Sequence, residues 1–222
     1  MSSGSVAGLL LAAGGSQRLG EPKQLLVDET GVPAVVRMAR ALRDAGCAPV
    51  LVVVGAAAEA VTSSLAHESV HVVTHAAWAH GMGSSISAGM RALLDITAST
   101  DEVQGVLIAP CDMPAVTAPF LGALRSHFTG TERVAAAYVA GAYMPTASVA
   151  ATAAPARGIP AILPRADWPW LAMLSGDQGA KPLLRQDTIT VPLGDGAFDL
   201  DTPADVARWR QTRGLGGRSA NT

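Results

Sequence analysis

What the chain lacks narrows its reading first. It has only two cysteines, Cys47 and Cys111, in 222 residues. Two thiols build no disulfide framework, and a chain of this length stabilises itself by burial without one, so a reducing cytoplasm is the expected setting. Charged residues make up 15% of the sequence and aromatics 4%, against 49% hydrophobic. A chain so apolar and so lightly charged is not intrinsically disordered. No basic excess exists either: 16 Lys and Arg face 18 Asp and Glu, for a net charge of −2. Duplex nucleic acid and anionic membranes both reward clustered cations, so no nucleic-acid polymer and no membrane is an expected partner. Long apolar runs are missing too. The stretch 6–13 follows no Lys or Arg and is far shorter than the ~20 residues that span a bilayer, so it reads as a first strand.

What is present is an alternation. Short β-branched or Leu-rich runs take turns with longer Ala-rich segments at helical spacing, the pattern of a parallel sheet covered by helices. It predicts strands over 6–11, 49–54, 70–74, 103–109, 134–139 and 188–192. Helices are predicted over 33–45, 57–66, 84–94, 118–127, 168–174, 178–185 and 203–212, the first opened by Pro33 and stopped by Gly46. The segment 135–156, dense in Ala, Thr, Val and Pro, reads as a strand followed by irregular loop. The fold class is therefore α/β, three-layer, with a mainly parallel sheet flanked by helices. The length is about 1.5 times the ~150-residue prior for a domain, which predicts one domain over 1–213. The Gly-, Ser- and Arg-rich tail 214–222 lacks apolar anchors and is expected to fray.

The most informative stretch is LLLAAGGSQRLGEPKQLL at 9–26. A buried strand runs into Leu11, Ala12, Ala13, Gly14, Gly15 and Ser16, where small residues let backbone N–H groups approach an anion and point at it. Gly15 and Gly20 have the spacing of a Walker loop, but Glu21 stands where its lysine must be, and no G-x-G-x-x-G runs through Gly14, Gly15 and Gly20. Arg18 inside the loop and Lys23 after it supply a fork donor and a point charge that would hold a triphosphate from two sides. The plainer alternative is a strand-turn with a solvated Arg and Lys.

The whole string, Leu-Ala-Ala-Gly-x-Ser-x-Arg-Leu-Gly-x-x-Lys at 11–23, resembles the signature loop of nucleotidyltransferases that make activated sugars, isoprenoid precursors and molybdenum cofactors. WAHGMGSSISAG at 78–89, PCDMP at 110–114, GIPA at 158–161, LSGDQGA at 174–180 and FDLDTP at 198–203 narrow the resemblance. Together they look like the MobA-like family, in particular its molybdenum cofactor cytidylyltransferase (MocA-like) branch, over residues 6 to about 210. The resemblance implies a Rossmann-like fold of the nucleotide-diphospho-sugar transferase type. It implies transfer of CMP from CTP to the phosphate of a molybdopterin-type cofactor with release of pyrophosphate. The implied partners are a nucleoside triphosphate, a phosphorylated small-molecule acceptor, and a molybdoenzyme or its chaperone. One departure is the extra segment 141–157, on the acceptor side.

Asp112 follows the apolar run 105–109, so its carboxylate belongs at the C-terminal end of a strand, where open α/β sheets place ligands. A hard cation, Mg²⁺ or Mn²⁺ in its place, takes one or two carboxylates plus phosphate oxygens and waters, and Asp201 is the second candidate. The bland alternatives are a turn for Asp112 and the N-cap of the helix starting at Pro203 for Asp201. Gly83, Ser84 and Ser85 open a helix whose free N–H groups offer donors. The resemblance puts the nucleobase and ribose there; the alternative is a serine cap. Gly176 and Asp177 read either as an acceptor-binding loop or as a helix start. The catalytic candidates are Arg18, Lys23 and Asp112. CTP rather than GTP is implied by Ala13, where guanylyltransferase relatives carry glycine, and by the Gly-Met-Gly-Ser-Ser loop at 81–85, although GTP or another acceptor stays open. A different class also stays open, an NAD(P)H-dependent oxidoreductase of the nicotine-blue reductase type, as does a non-catalytic nucleotide-binding regulator. His71 and His75 have no further His or Cys near enough in sequence for a zinc site, and Cys111 reads as structural.

Overall fold

The computed structural model of the chain describes residues 4–138, 156–185, 187–194 and 198–216. The elements in chain order are β1 (Ser5–Ala12), α1 (Ala34–Asp44), β2 (Val50–Val54), α2 (Ala58–Ser64), β3 (His71–Thr74), α3 (Met82–Ile96), β4 (Val103–Pro110), α4 (Ala118–Ser126), β5 (Val134–Tyr138), β6 (Ala156–Pro164), α5 (Trp168–Leu171), β7 (Ile189–Pro192) and α6 (Pro203–Gly216). Among the described residues the strands form one sheet of seven, in the order β3-β2-β1-β4-β6-β5-β7. Pairing is parallel except along β6, which runs antiparallel to both β4 and β5. No helix among the described residues is long and apolar enough to cross a membrane.

The strand period of two sorts the core into two layers. In β2, Val50, Val52 and Val54 join the cluster under α1, α2 and α4, while Leu51 and Val53 join the one under α3 and α5. Helical spacing meets this from outside: Val35, Met38 and Leu42 of α1 bury on the first face, Ile86, Met90 and Leu93 of α3 on the second. A third cluster joins Leu19 and Leu26 of the first loop to Leu200, Val206 and Trp209 around α6. That small core docks the C-terminal helix against the loop after β1.

The alternation of strands and helices stands as expected, with three corrections. The first is β6, a nine-residue strand where no strand was expected. Gly158 and Pro160 argue against a strand interior, but the β5–β6 ladder shifts register there, passing from Ala135↔Ala161 to Ala136↔Gly158. Ile159 and Pro160 fall in that irregularity, so the missing proline N–H breaks no ladder bond. The second concerns 178–185, which holds only a 3₁₀ turn at Lys181–Leu183, because Pro182 in mid-segment supplies no N–H and clashes with the preceding turn. The third is α6, which continues through Gly216, into the segment expected to fray. Val139 and residues 141–155 of the extra segment lie outside the described residues.

β4 carries a glycine with a packing reason. A Cβ at Gly105 would stand 2.6 Å from Cζ and 2.8 Å from Cε1 of Phe128, a ring buried in the first layer. Valine has the better strand propensity, so Gly105→Val isolates the overpacking. The variant is expected to lose about 1–3 kcal/mol in urea denaturation; unchanged stability would mean that the ring yields.

Candidate functional site

The site begins where β1 and β4 end. Leu11 pairs with Pro110, and the Cys111 N–H donates to the Leu11 carbonyl at 3.2 Å. The loop after β1 and the Cys111-Asp112 turn after β4 therefore leave the sheet side by side. Between them opens a cavity of about 290 Å³, walled on the sheet side by Leu11, Ala12, Ala13, Gly14, Lys23 and Asp112. Trp78, Met82 and Ser85 close it from the α3 side. A second hollow, about 300 Å³, lies along Gly14, Gly15 and Ser16 and reaches Ala56.

The loop is held from beneath. Gln24 is fully buried, and its Nε2 donates to the carbonyls of Ala12 (3.0 Å) and Gly14 (2.7 Å). Ser16 sits at φ +50°, a left-handed conformation costly outside glycine. Its Oγ accepts from the Lys23 N–H at 3.0 Å, and its carbonyl accepts from Leu19 and Gly20.

Four charges meet above the loop. The Lys23 ammonium is ion-paired with Asp112 Oδ2 and, at 3.1 Å, with Asp201 Oδ1. Arg18 Nη2 reaches Asp201 Oδ2 at 2.7 Å. Burial alone would lower the Lys23 pKa, but the charges and hydrogen bonds of Asp112 and then Asp201 outweigh it, holding the amine above the ordinary lysine range. Cys111 is the reverse: burial first, then the Asp112 charge, push its thiol up, which keeps it from acting as a thiolate.

Asp201 comes from far along the chain, brought in by the Leu200 N–H donating to the Asp112 carbonyl at 2.9 Å. It is not the cap of α6. Thr202 is: its Oγ1 accepts from the Asp205 N–H at 3.2 Å, and Asp205 accepts from the Thr202 N–H at 2.9 Å, a reciprocal capping box.

The remaining candidates gather next to the cavity. Ser85 lines it, but the Ser84 hydroxyl is tied back to the Gly81 carbonyl at 2.8 Å and meets His75 Nε2 at 3.0 Å. Burial and the neighbouring His80 charge lower the His75 pKa. Gly83 faces the 175–178 loop, its N–H donating to the Gly176 carbonyl at 2.8 Å. Gly176 and Asp177 thus pack on the start of α3, and no serine caps that helix, since Gly81 holds the cap position. Gln24 and Trp78 stand inside the motifs at 9–26 and 78–89, but neither is singled out there as a site residue. A polar residue before Leu25-Leu26, and one of only four tryptophans, were the signals available.

The cap assignment has a direct check. Thr202→Ala is expected to lower stability by about 1 kcal/mol in urea denaturation, and Thr202→Asn, which keeps a capping side chain, by less; equal stability of Thr202→Ala and wild type would remove Thr202 from the cap.

Residues 8–191 match the family model described as MobA-like NTP transferase domain. The chain is 34% identical over 203 residues to nicotine blue oxidoreductase of Paenarthrobacter nicotinovorans, covering 90% of this chain and 91% of that one. The crystal structure of Rv0371c from Mycobacterium tuberculosis H37Rv superposes with a TM-score of 0.69 at 25% identity, over 93% of this chain and 98% of that one. Its complex with manganese gives 0.66 at 24%, over 94% and 99%. A nucleotidyl transferase from Methanothermobacter thermautotrophicus shares the fold at 0.71 and 21%, over 96% and 99%. The chain belongs to the MobA-like NTP transferase domain family, a family of nucleotidyltransferases.

Proposed function

We propose that this enzyme is a cytidylyltransferase that moves CMP from CTP to the phosphate of a molybdopterin-type acceptor. The observation that carries the reading is the cluster in which Arg18 and Lys23 are balanced by Asp112 and Asp201 at the mouth of the loop. Polyphosphate transfer needs cations for the phosphates and carboxylates for a divalent ion; hydride transfer needs no divalent ion. The two carboxylates already converge on one cation, the Lys23 ammonium, and that donor set fits Mg²⁺, or Mn²⁺, which takes one or two carboxylates with phosphate oxygens and water. Bound there, the ion would neutralise charge on the phosphoryl oxygens.

The acceptor phosphate oxygen forms a bond to the α-phosphorus of CTP as the bond from that phosphorus to the bridging oxygen breaks, and pyrophosphate leaves with the electron pair. Arg18, Lys23 and the amides of Gly14 to Ser16 hold the triphosphate and meet the charge on the departing pyrophosphate. The acceptor is already ionised at neutral pH, so no side chain need remove a proton. Ser85 and Ala13 face the nucleoside, Gly176 and Asp177 the acceptor, and a molybdoenzyme or its chaperone would receive the product. A cytoplasmic setting and one domain over 1–213 go with this reading.

The 34% relative named an oxidoreductase favours a second reading, an NAD(P)H-dependent reductase on the same scaffold. Thermal shifts with CTP, GTP, UTP, ATP, NADH and NADPH, each with and without Mg²⁺, separate the two. CTP at a hundredfold excess over Kd is expected to add about 2.7 kcal/mol, a Tm rise of about 5–10 °C at this size, only with the metal. A metal-independent NADPH shift would sink the transferase reading. Lys23→Ala and Arg18→Ala are each expected to lower turnover about 100-fold or more, and Ala13→Gly to narrow the preference for CTP over GTP in a competition assay.

A further inference from the structure

Two glycines near the loop make room for one side chain. A Cβ at Gly15 would stand 2.9 Å from Cη2 and Cζ3 of Trp78, and one at Gly55 would stand 2.6 Å from its Cβ and 2.8 Å from its Cγ. The indole therefore reaches from the end of β2 to the loop after β1. A Cβ at Gly14, one residue away, would meet nothing within 4 Å. Trp78 is half-buried against the layer under α3 and still lines the 290 Å³ cavity. Beside it stands Met82, 47% exposed, so the α3 wall is aromatic and polarisable while the sheet wall carries Lys23 and Asp112. A cavity with one flat apolar wall and one charged wall suits a ligand that is itself a heterocycle joined to phosphates.

We infer that Trp78 is the ring-binding residue of this site, receiving the ligand's heterocycle by stacking. The inference rests on the proposed function, since it needs a nucleotide in the cavity. Stacking accepts any base because every base has a π-face. Trp78 thus supplies affinity for the ring, and selection among bases falls to polar groups elsewhere on the wall.

The test compares CTP, cytidine and inorganic tripolyphosphate, each with Mg²⁺, on the full chain by calorimetry, for wild type, Trp78→Phe and Trp78→Ala, with folding checked by circular dichroism. Loss of stacking is expected to weaken CTP and cytidine about 5- to 150-fold in Trp78→Ala, less in Trp78→Phe, with tripolyphosphate changed by no more than ~2-fold. CTP should also alter the wild-type tryptophan emission, an effect lost in Trp78→Phe although Trp168, Trp170 and Trp209 remain. Equal losses for CTP and tripolyphosphate would reduce Trp78 to a prop for the loop and overturn the inference. So would unchanged affinities, or an emission change that survives in Trp78→Phe. Wild type that binds tripolyphosphate as tightly as CTP overturns the ring subsite alone, whereas wild type that binds none of the three overturns the proposed function and the inference together.

Discussion

The pairing of β1 with β4 governs the charged site of this molecule. From β1 the chain crosses through α1 to β2 on one side, whereas β4 has β6 on its other flank, so the connections diverge and leave a crevice at the strand ends. Open α/β sheets hold ligands at such a switch point. The pair Leu11 and Pro110 fixes the level at which both strands stop. A slip of one residue would send the loop or Asp112 to the wrong face of the sheet. The Leu200 N–H on the Asp112 carbonyl then extends the same construction to Asp201, and Leu19, Leu26 and Trp209 hold that segment down by burial.

The charges balance because the geometry allows no surplus. The Lys23 and Asp112 side chains are only 18% and 11% exposed, so each has lost much of its water, and desolvation of that kind is offset only by a close partner. Asp201 and Arg18, more exposed, complete a neutral set of four. Such a set is costly to break by deleting one member but cheap to rearrange by adding a charged ligand. Under the proposed function, a triphosphate would offer Lys23 and Arg18 new partners, and Asp112 and Asp201 would be free to hold a divalent cation.

The parallel half of the sheet was legible because β2 is an uninterrupted apolar run, β1 and β4 are nearly so, and α1 is bounded by Pro33 and Gly46. β6 was not, since Gly158 and Pro160 break every local rule for a strand and only tertiary pairing, with the irregularity at Ala135 and Ala136, reconciles them. Asp112 and Asp201 were paired by residue type and context as carboxylates for one cation; that both meet the Lys23 ammonium is a fact of topology that spacing cannot express. The cap was misleading for a similar reason. Asp before a helix is a common cap, but Thr202 with Asp205 forms the box, which leaves the Asp201 carboxylate for Lys23 and Arg18.

Glycine-rich loops are usually read as space for a ligand, and here that reading needs dividing. Gly14 borders open space, but the lack of a side chain at Gly15 admits the Trp78 indole. The ring is thus seated against Gly15, while Gln24 beneath Ala12 and Gly14 holds the loop. Gln24 binds the two carbonyls with a single amide nitrogen, which turns these acceptors inward and commits the backbone to one orientation. Ser16, in a conformation that costs about 1–3 kcal/mol, is retained because Lys23, Leu19 and Gly20 all donate to it. A loop fixed in this way has already met its ordering cost during folding. An anion entering it would keep more of its interaction energy as affinity, because preorganised donors need little rearrangement to receive it.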